Sequence, residues 1–121
     1  MDRDIFTIFN PLAQLIYDKK GVNILALDIR KISTLTDFVM IAEGSAPKHV
    51  LGLGYAILEF LKEYEIIPAH IEGLQEGDWV VFDGVYFMIH LFMPGVREKY
   101  QLEELWKAGV ILDLDIHVRS A

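Results

Sequence analysis

The chain of 121 residues contains no cysteine, which excludes disulfides and thiolate metal sites and fits a reducing compartment. Long hydrophobic runs are missing too. Hydrophobic residues make up 53% of the chain, but charged residues break every apolar stretch short of the ~18 residues that a membrane span needs. The first residues, with Asp2, Arg3 and Asp4, lack the basic segment and apolar core of a signal peptide, so cytoplasm is the expected compartment. Basic residues are scarce: 11 stand against 18 acidic ones, for a net charge of -7. They are scattered as pairs, Lys19 with Lys20, Arg30 with Lys31, and Arg97 with Lys99. A nucleic-acid binder needs a concentrated positive patch, and none is written here; an acidic chain suits a basic protein partner.

What remains is enough for one domain, which at this length buries roughly two thirds of the surface of its unfolded chain. No repeat, low-complexity tract or long linker divides it, so residues 1–121 read as a single domain. Ile5, Phe9, Leu12 and Ile16 recur at helical spacing and predict an amphipathic helix stopped at Gly21, with Pro11 either kinking it or starting a second helix after Asn10. Val22 to Ile29 and Thr36 to Glu43 are apolar on both alternating faces, as central strands of a covered sheet are. Ser45 is the expected cap of a helix over residues 46–65, whose buried stripe is Val50, Leu53, Ile57, Leu61 and Tyr64. Gly52 and Gly54 inside it are expected to mark close approach to the sheet.

Beyond Pro68 a strand over residues 69–72, a Gly-rich turn and a hairpin follow, with strands over 79–83 and 85–92 reversing at Gly84. Alternation gives this hairpin one wholly apolar face of Val80, Phe82, Val85, Phe87, Ile89 and Leu91. The other face carries Trp79, Val81, Asp83, Tyr86, Met88, His90 and Phe92. Aromatics and Met beside isolated polar groups suit an interface core; a second layer of the same domain covering this face is the structural alternative. The expected architecture is α/β, a two-layer domain with a mixed sheet and helices on one face.

Groupings that would carry chemistry are weak. Asp113 and Asp115 fall on one face of an extended segment, and Asp28 and Asp37 are the further acids that a divalent metal site would draw on. Gly44 and Ser45 open a helix whose amides suit a phosphate, but no dinucleotide or P-loop spacing follows. The four histidines, His49, His70, His90 and His117, have neither i, i+4 spacing nor a zinc motif. No catalytic residue, metal site or cofactor is therefore expected, and the chain does not read as an enzyme.

Three segments carry a resemblance: residues 25–50 (LALDIRKISTLTDFVMIAEGSAPKHV), residues 71–83 (IEGLQEGDWVVFD) and residues 90–106 (HLFMPGVREKYQLEELW). Together they resemble the ribosomal silencing factors, also called Iojap-like proteins, over about residues 21–115. The last segment is the most specific, holding His90, Phe92, Pro94, Arg97, Tyr100, Leu102, Glu103, Leu105 and Trp106 in the family's order and spacing. Gln101 stands where the family usually has an Asp, and Tyr86 where it has a polar turn residue.

The resemblance implies a mixed sheet similar to that of nucleotidyltransferases, without their metal-binding carboxylates. It implies binding to the large ribosomal subunit, chiefly to its basic protein numbered fourteen, and translational repression by blocking the small subunit from joining. Carried onto this sequence, the candidate docking residues are Trp79, Asp83, His90, Arg97, Tyr100, Leu102 and Trp106. Two other functions compete with repression: a nucleotidyltransferase-like enzyme working through Asp28, Asp37 and the Gly44-Ser45 turn, and a large-subunit assembly factor. An exposed hairpin face would also allow a homodimer off the ribosome.

Overall fold

The fold is taken from a computed structural model, which describes residues 4–100, 104 and 107–118. In chain order the elements are α1 (Phe6–Asp18), β1 (Val22–Asp28), β2 (Phe38–Glu43), α2 (Pro47–Glu63), β3 (His70–Glu72), β4 (Trp79–Asp83), β5 (Phe87–Phe92), α3 (Val96–Tyr100) and β6 (Val110–Ile111). The six strands form one mixed sheet in the order β3-β4-β5-β2-β1-β6. β2 and β5 run parallel, and the other pairs are antiparallel. A parallel pair needs a long crossover, and α2 with the β3-β4 hairpin supplies it between β2 and β5.

The sheet centre is β2 with β5, not β2 with β1 as the apolar pattern suggests. From Phe38 to Ala42 every residue of β2 is buried, because both its faces are covered. β1 lies one strand further out, and its first half is open to solvent, with Val22 51% exposed.

On one face of the sheet α1 and α2 enclose the main core. Ile5, Ile8, Phe9, Leu12 and Ile16 of the first helix region, with Val50, Leu53, Ile57 and Leu61 of the second, pack on Phe38, Met40, Val80, Phe82, Phe87, Ile89 and Leu91. The Phe9 ring meets those of Phe38 and Phe87 edge-on, with centroids 6.5 and 5.8 Å away. α1 is one continuous element through Pro11, which resolves the choice left by the sequence in favour of a single helix. Residues 112–118 lie along it: Asn10 accepts from the Asp115 amide at 2.9 Å, and Gln14 from that of His117 at 2.7 Å. Leu112, Leu114 and Ile116 turn inward to the core, which leaves Asp113 and Asp115 in solvent.

Several local expectations need correction. The residue that caps α2 is Ala46, followed by Pro47, and no side chain caps it; Ser45 instead donates its amide to His49 Nδ1 at 2.9 Å. Tyr64 falls just past the end of α2, 38% exposed and stacked on Phe60, while Phe60 takes the buried place. Close approach explains Gly54, where a Cβ would lie 2.8 Å from Leu74 and 3.7 Å from Val80. It does not explain Gly52, which faces open space.

Strand β5 starts at Phe87, because the hairpin turn takes up Val85 and Tyr86. Val85, not Gly84, adopts the left-handed conformation (φ 76°), and the Tyr86 amide bonds back to the Gly84 carbonyl at 3.0 Å. Both side chains therefore leave the expected alternation: Val85 is exposed, and Tyr86 packs against the main core.

Candidate docking surface

The opposite sheet face has its own smaller core of Leu27, Ile29, Val39, Ile41 and Phe92, against which Leu25, Trp79 and Val96 pack. Val96 belongs to α3, so this face also has a helix over part of it, and the helices are not confined to one side. Cross-strand register defines its three rows. Trp79 stands opposite Phe92, which neighbours Glu43. Val81 stands opposite His90, then come Ile41 and Leu25. Asp83 stands opposite Met88, then come Val39 and Leu27.

Exposure divides this grid. Val39, Ile41 and Phe92 are fully buried, and His90 is 5% exposed, whereas Trp79, Val81, Asp83 and Met88 are half-buried. The accessible part is thus an apolar strip of Trp79, Val81 and Met88 toward the β3 edge. Acidic groups surround it: Asp83 at one end, exposed Asp78 at the other, and Glu72 on β3 beside Val81, where it bonds to His70 at 2.9 Å.

Below the strip the aromatic groups interlock. The Trp79 indole N–H donates to His90 Nδ1 at 3.1 Å, His90 stacks on Phe92 at 5.8 Å between centroids, and Trp79 lies 5.2 Å from Phe92. A ring nitrogen that accepts a hydrogen bond carries no proton, so His90 is neutral with its hydrogen on Nε2. Burial enforces this state and pushes its pKa down to about 4, because a charged imidazolium loses hydration there. His90 is a support for Trp79 rather than an exposed contact.

Two other candidates also have structural roles. Asp83 accepts the Val85 amide at 2.9 Å and so holds the hairpin turn. Arg97 is 8% exposed and pairs with Glu43 of β2 at 3.0 Å. The same guanidinium nitrogen donates to the backbone carbonyl of Asn23. Tyr100 is the last residue of α3, three positions beyond Arg97; Leu102 and Trp106 lie outside the described residues. The structure therefore unites Trp79 with His90, puts Asp83 at the far end of the same strip, and sets Arg97 beside the Glu43 end of the face.

Asn23 and Glu43 are the residues that sequence reading missed. The one local signal is an Asn inside an otherwise apolar strand, a residue type that tolerates left-handed backbone; Asn23 has φ 53°.

Asp28 is held by Arg30 in a two-pronged pair, with bonds of 3.0 and 2.7 Å. That hydrogen-bonded guanidinium keeps the Asp28 carboxyl below its ordinary value of 3.8. Among the described residues no three or more His, Asp or Glu side chains converge as metal ligands, and no helix is long and apolar enough to cross a membrane.

The family model described as "Ribosomal silencing factor during starvation" matches residues 4–120. A ribosomal silencing factor of Bacillus subtilis is 35% identical over 98 residues, covering 81% of this chain and 83% of that protein. A Chromobacterium violaceum factor of the same name is 33% identical over 89 residues, covering 74% and 73%. The mouse protein named for mitochondrial assembly of the ribosomal large subunit is 26% identical over 98 residues, covering 78% of this chain and 43% of that one. A crystal structure of a Chromobacterium violaceum protein superposes with a TM-score of 0.81 at 28% identity, covering 98% and 97% of the two chains. One from Bacillus halodurans does so at 0.78 and 27%, covering 89% and 98%. The names of the bacterial relatives denote a regulatory role and not a reaction. With a family model spanning nearly its whole length, and relatives that share both sequence and fold, this chain belongs to the ribosomal silencing factors.

Proposed function

We propose that this protein represses translation by docking on the large ribosomal subunit, chiefly on its basic protein numbered fourteen, where its bulk blocks the small subunit from joining. The observation that carries the reading is the half-buried strip of Trp79, Val81 and Met88, supported from below by His90 and Phe92 and bordered by Asp78, Asp83 and Glu72. A rigid aromatic anchor with a charged border is how interfaces divide their work: the apolar centre lengthens residence, and the charges steer a basic partner into place. The net charge of -7 acts in the same direction at longer range.

No reaction step is needed, since a wedge works by occupancy. The mixed sheet serves here as a platform, and the Asp28 carboxylate is paired with Arg30. A second reading, large-subunit assembly, draws on the name of the mouse relative and uses the same surface. Off the ribosome, the strip suits a two-fold contact between two copies, which sedimentation over a concentration series tests.

The deciding experiment is co-sedimentation with isolated large and small subunits, followed by light-scattering reassociation. Binding to the large subunit alone, with reassociation blocked, is expected. Trp79→Ala and Tyr100→Ala are expected to weaken binding by roughly tenfold or more, with circular dichroism reporting that the fold survives. Wild-type binding by both variants refutes the surface. Binding without any block of reassociation moves the function to assembly. A saturable heat on titration with Mg²⁺ and nucleoside triphosphates refutes the non-enzymatic reading.

A further inference from the structure

Burying a guanidinium is costly unless its charge and its donors are matched on all sides, so a buried arginine on a five-residue helix calls for an explanation. The match for Arg97 is assembled from three separate parts of the chain. In β1 a bulge places Asn23 and Ile24 where β2 has only Ala42, since Val22 pairs with Glu43 and Leu25 with Ile41. The left-handed backbone of Asn23 (φ 53°) permits this bulge and puts its carbonyl within reach of Arg97 Nη1. The Asn23 side-chain amide donates to Glu43 Oε2 at 3.1 Å, the oxygen that also accepts from Arg97 at 3.0 Å. Glu43 is itself the β2 neighbour of Phe92. Val96, the residue before Arg97, packs against the small core that contains Phe92, as Trp79 does.

We propose that Asn23, Glu43 and Arg97 form a positioning latch for the docking surface. They fix α3 beside the Trp79 row, and with it the backbone place of Tyr100, while the Arg97 guanidinium itself does not meet the partner. Arg97 is then a positioning residue, and Asn23 and Glu43, on β1 and β2, determine docking from within. The inference rests on the docking reading above and extends it to residues outside the strip.

The two roles open to Arg97 predict opposite results for one substitution. If Arg97 is a contact, Glu43→Gln takes one neutralising charge away from it and leaves binding unchanged or tighter. If it is a latch, Glu43→Gln loosens α3 and weakens binding. Asn23→Gly is the second variant, because glycine keeps the left-handed bulge but removes the amide bond to Glu43. Hydrogen exchange of the residue 96–100 amides, measured beside co-sedimentation with large subunits, separates the outcomes. Expected for Glu43→Gln are exchange in α3 and a dissociation constant each raised by about tenfold, with protection of the Val39 to Ile41 amides unchanged; Asn23→Gly shifts both in the same direction by less. Unchanged α3 exchange in both variants overturns the latch. Faster exchange with wild-type or tighter binding overturns its role in docking. Failure of the wild-type chain to bind large subunits instead refutes the docking reading, and the exchange data still report on whether the latch holds α3.

Discussion

Acid is expected to destabilise this protein through His90. The unfolded chain binds a proton there at the ordinary value of 6.5, whereas burial holds the folded group at about 4. Between those values the unfolded state carries more protons, so stability falls as pH falls. The stabilisation is fully present above the unfolded value and is lost on acidification toward the folded one. The gap corresponds to about 3 kcal/mol in total, with most of it, between 2 and 3 kcal/mol by the same conversion, gone near pH 4.5. That is a large part of the ~5–15 kcal/mol typical of a domain. Asp28 does not confuse the measurement, because its depressed carboxyl loses its contribution only below its ordinary value of 3.8. Urea unfolding in steps from neutral pH to about 4.5, by linear extrapolation, is the assay. His90→Gln is the control, since a side-chain carbonyl still accepts from the Trp79 indole but takes up no proton. A wild-type stability that stays level over this range refutes the reasoning, as does an equal slope in His90→Gln.

The other predictions concern the backbone. Gly52→Ala is expected to raise stability by about 1 kcal/mol through helix propensity alone, since its new methyl meets nothing within 4 Å. Gly54→Ala is expected to gain less, because the same methyl must displace the Leu74 side-chain end from 2.8 Å; equal gains in paired urea curves contradict the packing assigned to Gly54. Val85→Gly is expected to stabilise by about 1 kcal/mol by relieving left-handed backbone on a β-branched residue. Val85 is 66% exposed and gives up little packing, so an unchanged thermal midpoint argues against strain at this turn.

Legibility of the candidate site followed the range of the interactions. Alternation placed Trp79, Val81, Asp83, Met88, His90 and Phe92 on one hairpin face, as observed, because side-chain direction in a strand is set residue by residue. It failed for Val85 and Tyr86 because the turn, not the strand, sets their backbone. Helical spacing found Val50, Leu53, Ile57 and Leu61 but extended the stripe to Tyr64, past the end of the helix. Ser45 looked like a cap since its type favours that role, yet His49 one turn on engages its amide.

Residue pattern alone was enough to place α1, α2 and strands β1 to β5, the two-faced hairpin, the acidic character and, through the motif in residues 90–106, the family. These depend on local periodicity, on summed charge, or on residues close together in the chain, whereas α3 and β6 emerged only in the fold. Only the tertiary structure decided which candidates are accessible and which are supports. Burial turns His90 into a neutral acceptor beneath Trp79, and Arg97 meets Asn23 and Glu43, far from it in the chain. The physical reason is that desolvation and ion pairing depend on what folding brings within a few ångströms, and a bulge in β1, the end of β2 and a short helix at residue 96 meet only once the sheet has formed.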